Sequence, residues 1–144
     1  MPGKAKLPMG IEDFERIRKD GFYYIDKTGF IRDLLENMAY VNLFTRPRRF
    51  GKTLNMSMLE CFFSKKYGNR GDLFEGLSIW NHDQYRKLQG TYPVISLSFA
   101  KVKETSFSNA RKKICQIIKN LYNKYDFLLY EMLTRFAARQ KISY

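Results

Sequence analysis

The sequence predicts a three-layer α/β domain in which helices cover a mostly parallel sheet. Strand-like apolar runs alternate with helix-like amphipathic stretches, and a Gly-Lys-Thr tripeptide stands between one such strand and the helix that follows it. No segment resembles a linker or an internal repeat. With 144 residues, of which 44% are hydrophobic and 16% aromatic, the chain is long enough for one ordinary domain with its own core.

The first forty residues predict a helix, a strand and a second helix. A short helix that stops at Gly21 is predicted from apolar residues at three-residue spacing, namely Ile11, Phe14 and Ile17. The aromatic and β-branched run 22–25 is typical of a strand. The second helix has Thr28 available as its cap, and its apolar face consists of Phe30, Ile31, Leu34, Leu35 and Met38.

The middle of the chain predicts a strand at 41–44, a loop at 45–53 and then a helix. That helix is indicated by apolar residues at helical spacing: Leu54, Met58, Leu59, Phe62 and Phe63. The segment 68–92 holds four of the nine glycines and breaks the periodicity. We therefore interpret it as a loop with one or two short elements, anchored by Trp80.

The last third of the chain predicts a strand and a long amphipathic helix. Pro93 precedes the strand pattern 94–99. Ser106 or Ser108 can cap the helix, and the pattern allows a break near Tyr125-Asp126. The 3.6-residue period is kept by Phe107, Ala110, Ile114, Ile117, Ile118, Leu121, Tyr125, Leu128 and Met132.

Gly51-Lys52-Thr53 is the ending of a phosphate-binding loop, placed between an apolar strand and an apolar-striped helix. In such a loop, backbone N–H groups at the helix start converge on the anion, the lysine reaches the terminal phosphates, and the threonine hydroxyl holds magnesium. The alternative is a basic loop in which Gly51 merely eases a helix start. Arg46, in the place of the loop's usual first glycine, and Pro47, which lacks an N–H, favour that alternative.

Three motifs occur in order along the chain: 14-FERIR-18, 24-YIDKT-28 and 45-TRPRRFGKTL-54. Together they resemble the bacterial AAA-ATPase-like family, predicted ATPases often joined to a C-terminal domain of the PD-(D/E)XK nuclease superfamily. A looser similarity continues through 74–77 and 92–95. The loop begins with arginine in that family too, so Arg46 no longer argues against nucleotide binding.

The resemblance implies a P-loop NTPase-like fold that binds ATP with magnesium. It implies that Lys52 contacts the β and γ phosphates and that Thr53 ligates magnesium on the bound nucleotide. The rest of the implied nucleotide-binding set is Arg46, Pro47, Arg48, Arg49, Phe50, Gly51 and Leu54. Residues 1–144 then form the N-terminal part of the domain: a family-specific segment at 1–40, the strand, loop and helix at 41–67, and a strand with a basic helix at 93–140.

Hydrolysis requires a further acidic residue at the end of a neighbouring strand. Asp72, Asp83 and Asp126 are candidates by residue type, but none follows an apolar run. Asp26 does follow one, and it is either a metal-side carboxylate or a strand-end or helix-capping aspartate. Relatives have the acidic (Walker B) strand farther downstream. We therefore expect a truncated domain with little or no hydrolysis, whose incomplete sheet favours self-association or a partner chain.

The charge pattern suggests a second function. Lys and Arg number 26 against 14 Asp and Glu, a formal net charge of +12, which suits an anionic partner. Residues 101–144 contain ten Lys and Arg against three acids. The C-terminal helix is therefore either a non-specific nucleic-acid-binding element or a solvated face opposite an apolar stripe.

The sequence disfavours several other classes of site and protein. His82 is the only histidine, so a zinc site or a histidine-based triad is hard to build. Cys61 and Cys115 are expected to be buried, reduced thiols. Neither a signal peptide nor a membrane span is visible, and we expect a cytoplasmic protein without a membrane partner.

Overall fold

The structure is a computed structural model that describes residues 5–128, 130 and 134. The chain forms two compact units, Met1–Val94 and Ile95–Tyr144, which are described in turn. In the described residues of both units the regular structure is helical.

The described residues of the first unit form four α-helices and three short 3₁₀ helices. The α-helices are α1 (Phe14–Lys19), α2 (Gly29–Asn37), α3 (Lys52–Phe63) and α4 (Asp83–Arg86). The 3₁₀ helices are Lys65–Tyr67, Gly71–Phe74 and Ser78–Asn81. The apolar periodicity therefore predicted α1, α2 and α3 correctly. The segment 68–92 was predicted to hold one or two short elements and holds three.

The core of this unit is aromatic and lies where α1 and α3 pack against the short helices. Phe14 and Phe62 are fully buried, and each ring lies 5.2 Å from that of Phe74. Trp80 stacks on Phe74 at 6.0 Å, which confirms its predicted role as the anchor of the middle segment. The other buried apolar residues of this cluster are Ile31, Met58, Cys61, Leu73, Leu77, Ile79 and Tyr85.

The second unit contains one long helix, α5 (Phe107–Lys124). Ser106 caps it, as predicted, because its Oγ accepts a hydrogen bond from the Asn109 N–H at 3.3 Å. The helix ends at Tyr125, where the predicted break falls, and the Tyr125 hydroxyl accepts a hydrogen bond from the Ser96 N–H at 2.9 Å. Cys115 is exposed on α5, so the prediction of a buried thiol was wrong there. Met132 lies outside the described residues.

The predicted three-layer α/β fold with a mostly parallel sheet was wrong. The described residues contain no β-strand, and bridge pairing among them is limited to one parallel bridge between Ser64 and Tyr92. The segments 22–25, 41–44 and 94–99 have no regular secondary structure. Aromatic and β-branched side chains favour an extended local conformation, but a strand also needs a neighbour for its backbone N–H and C=O groups.

The second of these segments illustrates the error. Val41 and Leu43 are 84% and 85% exposed, so their side chains face no sheet-covering helix. In the predicted fold both would have been buried, because a parallel sheet is covered on its two faces. The phosphate-loop motif therefore follows an exposed segment, where the sequence predicted a buried strand.

Candidate phosphate-binding site

The phosphate loop, residues 45–53, forms a turn that leads directly into α3. Arg49 and Gly51 have positive φ angles of 66° and 73°, whereas Phe50 between them does not. When left-handed and right-handed backbone conformations alternate in this way, successive backbone N–H groups point toward a common side. This is the geometry of anion-binding nests. Gly51 tolerates its φ without the strain that a side chain would bring.

The start of α3 offers unpaired hydrogen-bond donors to the loop. Lys52 is the first residue of α3. The first hydrogen bond of the helix is donated by the Asn55 N–H to the Gly51 carbonyl oxygen at 2.9 Å. Gly51 has no side chain that could cap the N–H groups before it, and the first turn contains no acidic residue. The positive end of the helix dipole therefore faces the loop without a carboxylate to neutralise it.

The side chain of Lys52 folds back across the loop. Its Nζ donates a hydrogen bond to the Arg46 carbonyl oxygen at 2.7 Å, so the ammonium lies over the turn formed by the residues between them. The Thr53 hydroxyl, one residue later, is exposed and forms no hydrogen bond in the part of the chain that the structure describes. Lys52 and Thr53, which the motif assigns to phosphate and magnesium, thus both lie at the helix start.

The loop is strongly cationic and open to solvent. Arg46, Arg48 and Arg49 are exposed, and no described acidic side chain pairs with them. The remaining predicted members are Pro47 and Phe50, both exposed, and Leu54, which is half-buried and packs against the core. The residues fit a polyphosphate with its magnesium, because the site combines fixed positive charge, unpaired N–H donors and a free hydroxyl.

Helix α3 is held firmly behind the loop by α1 and by the 24–28 motif. Ser57 Oγ accepts a hydrogen bond from the Phe14 N–H at 3.0 Å, and the buried Met58 sulfur accepts one from the Tyr24 hydroxyl at 3.3 Å. Burial raises the pKa of Tyr24 to about 12 and that of Cys61, also on α3, to about 12. Both groups stay neutral near pH 7, so they support the helix rather than react.

Asp26 and Thr28 form a hydrogen-bonded knot with the 3₁₀ helix Ser78–Asn81. One Asp26 oxygen accepts from the Thr28 N–H at 2.8 Å and from its hydroxyl at 2.6 Å, and the other accepts from the Ser78 N–H at 2.7 Å. The Thr28 oxygen in turn accepts from the Ile79 N–H at 3.2 Å. Partial burial raises the pKa of Asp26, but the bonds from Thr28 and Ser78 outweigh it and lower the net value.

This knot was not predicted in detail. Thr28 stands at the N-cap position of α2, but it makes no side-chain cap hydrogen bond there, since its hydroxyl is used by Asp26, Ser78 and Ile79. Asp26 already accepts hydrogen bonds at both oxygens. Among the described residues no group of three or more His, Cys, Asp or Glu side chains is arranged to hold a metal ion.

The α5 helix presents a second cationic surface. Its five basic residues are exposed and its sequence contains no acid; they are Arg111, Lys112, Lys113, Lys119 and Lys124. A shallow groove on this helix is lined by Ser108, Arg111, Lys112, Cys115, Gln116 and Lys119. Three further basic residues of the predicted patch, Arg135, Arg139 and Lys141, lie outside the described residues.

Comparison with known proteins identifies the family of the chain. A family model described as a predicted AAA-ATPase matches residues 8–142, and the chain belongs to this AAA-ATPase-like family. It is also 42% identical, over 97 residues, to an uncharacterized protein from the vnfD 5′ region of Azotobacter chroococcum mcd 1. That match covers 67% of this chain and 17% of the relative, so the chain spans about a sixth of the relative's length.

No solved structure matches the chain significantly. Within the described residues, no helix combines the length and the apolar character needed to cross a membrane.

Proposed function

We propose that the phosphate loop binds the phosphates of a nucleoside triphosphate, ATP being the candidate, together with magnesium. The observation that supports this most directly is the hydrogen bond of 2.7 Å from Lys52 Nζ to the Arg46 carbonyl oxygen. It holds the lysine over the loop, so that a phosphate oxygen can replace the carbonyl as acceptor without a rearrangement of the helix. Membership of the AAA-ATPase-like family supports the same ligand class.

Each predicted residue has a role in this proposal. The N–H groups at the start of α3, and those of the loop around Arg49 and Phe50, donate to phosphate oxygens, while Gly51 leaves room for the ligand. Lys52 neutralises the terminal phosphates. Thr53 would ligate magnesium, which draws charge from the phosphate oxygens when bound. Arg46 and Arg48 add positive charge around the loop, Pro47 restricts its backbone, and Leu54 secures the helix start.

We propose that this chain by itself binds nucleotide with little or no hydrolysis. Orienting the attacking water and holding the metal require an acidic group near the phosphates. Asp26 is the acid of the 24–28 motif, and both of its oxygens are engaged by Thr28 and Ser78. Turnover at about 1 per second or faster, an ordinary enzymatic rate, would contradict this part of the proposal.

The direct test is titration of the purified chain with a fluorescent ATP analogue in the presence of magnesium. Saturable binding in the micromolar range is expected for the wild type, and its loss is expected for Lys52→Ala. Lys87→Ala serves as the matched control, because Lys87 is an exposed lysine at the end of α4. Thermal unfolding of all three proteins verifies that they are folded; a folded wild type that does not bind refutes the proposal.

A second function, non-specific binding of nucleic acid, is supported by the five exposed cations of α5. Binding of this kind weakens linearly in log affinity against log salt, because counterions are released from the phosphate backbone. Simultaneous replacement of Arg111, Lys112 and Lys113 by alanine should abolish binding of a DNA duplex and leave nucleotide binding intact. Lys52→Ala should do the reverse.

A further inference from the structure

We propose that Lys27 is a second phosphate-binding cation of the phosphate loop, acting beside Lys52 on the terminal phosphates of a nucleoside di- or triphosphate. This inference rests on the proposed nucleotide binding and adds a residue to it. The observation behind it is spatial: the Nζ of Lys27 lies 3.8 Å from the position that a β-carbon would occupy on Gly51. The two residues are 24 positions apart in sequence, so the contact is made by the fold.

Gly51 is the point at which a ligand would approach the helix most closely. It is the N-cap residue of α3, it has a φ of 73°, and it lacks a side chain. The Lys27 ammonium lies on the side of Gly51 from which a side chain would project. A phosphate on that side would meet the N–H donors at the start of α3 and the Lys27 ammonium together.

The backbone on both sides of Lys27 is fixed. Asp26 is bound to Ser78 by a hydrogen bond of 2.7 Å, and Thr28, which is fully buried, is bound to Ile79 at 3.2 Å. The knot between the 24–28 motif and the 3₁₀ helix Ser78–Asn81 therefore fixes the backbone on both sides of Lys27. It holds the Lys27 side chain beside Gly51 of the phosphate loop. We assign Asp26 and Thr28 as positioning residues and Lys27 as the group that contacts the ligand.

The charge of Lys27 is available to a ligand. Its side chain is exposed, and within the described part of the chain it forms no ion pair with any carboxylate. Lys52 reaches the loop from the helix and Lys27 reaches it from the 24–28 motif, so two ammonium groups flank the turn. Charge-assisted hydrogen bonds to phosphate are among the strong ones, and the loss of one is expected to weaken ATP binding about tenfold or more.

The test compares ATP binding by Lys27→Met and Lys87→Met, which remove the same charge and leave a side chain of similar length. Lys87 is exposed and lies at the end of α4, outside the phosphate loop. The expected result is an approximately tenfold or greater rise in Kd for ATP with Lys27→Met, and an unchanged Kd with Lys87→Met. Lys27→Arg, which keeps the charge, should recover most of the affinity, and thermal unfolding should show all variants folded.

The outcomes separate this inference from the proposed function. If the wild type binds ATP and Lys52→Ala abolishes binding, but Lys27→Met binds as tightly as the wild type, the role of Lys27 is refuted and the phosphate loop stands. If the wild type does not bind, both proposals fall. If Lys27→Met and Lys87→Met weakened ATP binding equally, the effect would come from the net charge of the protein. That result would also overturn the inference.

The positioning role of Asp26 has its own readout. If Asp26 acts through Lys27, Asp26→Ala should weaken ATP binding in the wild-type background and have no further effect in the Lys27→Met background. A purely structural role predicts the same loss in both backgrounds, and that result would overturn the assignment. Each titration is performed below the unfolding temperature of the variant concerned.

Discussion

Gly68 and Gly90 approach each other so closely that a β-carbon on Gly90 would lie 2.2 Å from the Gly68 α-carbon. The contact joins the turn after Lys65–Tyr67 to the segment that follows α4, and the Gly90 N–H donates to the Phe62 carbonyl at 2.7 Å. Phe62 is a fully buried core residue of α3. The close approach therefore connects the glycine-rich middle of the chain to the helix that begins at the phosphate loop.

Gly90→Ala should destabilise the protein strongly. The added methyl meets backbone atoms that cannot move away, and the φ of 68° disfavours any side chain. We expect a loss of at least ~3 kcal/mol in the free energy of unfolding, measured by urea denaturation. Gly76→Ala is the control, because Gly76 has a φ of 76° but no atom within 4 Å of its added β-carbon.

The control isolates the steric contact. Gly76→Ala should cost only the left-handed strain, about 1–2 kcal/mol. Equal losses for the two variants would show that the close approach of Gly68 and Gly90 contributes nothing of its own.

Arg18 connects α1 to the C-terminal end of the 3₁₀ helix Gly71–Phe74 by two hydrogen bonds. Its Nε donates to the Leu73 carbonyl at 2.7 Å and its Nη2 to the Glu75 carbonyl at 2.6 Å. Arg18→Met should lower the free energy of unfolding by ~2 kcal/mol, because two charge-assisted hydrogen bonds disappear and only the aliphatic packing is kept.

The matched variant is Arg16→Met on the same helix. Within the described residues, the Arg16 side chain makes a solvent-exposed ion pair with Asp20 at 3.5 Å and no other polar contact. Its loss should therefore change stability by no more than about 0.5 kcal/mol. Urea denaturation of both variants decides the matter, and a smaller effect at Arg18 than at Arg16 would contradict the assignment.

The helices were predictable from sequence because their signals are local. Phe14 and Ile17 are the buried residues of α1, and Ser106 caps α5 three residues before its Asn109 partner. The absence of strands from the described residues was not predictable, since strand pairing depends on residues far apart in the chain. Aromatic runs such as 22–25 favour an extended backbone conformation, but they do not provide the neighbouring strand with which that backbone would pair.

Part of the candidate site was likewise predictable from local sequence, and part of it was not. The motif placed Gly51, Lys52 and Thr53 at a helix start, and the structure has α3 beginning at Lys52. The proximity of Lys27 to Gly51 could not be inferred, because it depends on hydrogen bonds from Ser78 to Asp26, 52 residues apart. The only signal in the sequence was that Asp26-Lys27-Thr28 belongs to a family motif.

The two cysteines should differ sharply in reactivity. Cys115 is exposed on α5, whereas Cys61 is buried and its pKa is raised to about 12 by burial. Since the thiolate is the reactive form, a disulfide reagent such as DTNB should modify Cys115 in the native protein and Cys61 only after unfolding. Mass spectrometry of the labelled protein identifies the site, with Cys115→Ser as the control that should leave no rapidly reacting thiol. Comparable native labelling of both cysteines would contradict the burial of Cys61.

Asp26 should make stability depend on pH in the acidic range. Its pKa is lowered in the folded protein, with burial outweighed by the hydrogen bonds from Thr28 and Ser78. A lowered folded pKa means that the ionised carboxylate contributes stability above its unfolded pKa of about 3.9, and that this contribution is lost as pH falls through the folded value.

Asp26→Asn should therefore be less stable than the wild type at pH 7, because the amide nitrogen cannot accept the second N–H that the carboxylate accepts. The gap in urea midpoint between the two proteins should narrow as pH falls below about 4. Asp33→Asn, at an exposed surface ion pair with Arg32, should show no comparable gap. The difference in urea midpoint between Asp26→Asn and the wild type could instead stay constant from pH 7 to strongly acidic pH. That result would mean that the shape of the Asp26 side chain, and not its charge, stabilises the knot.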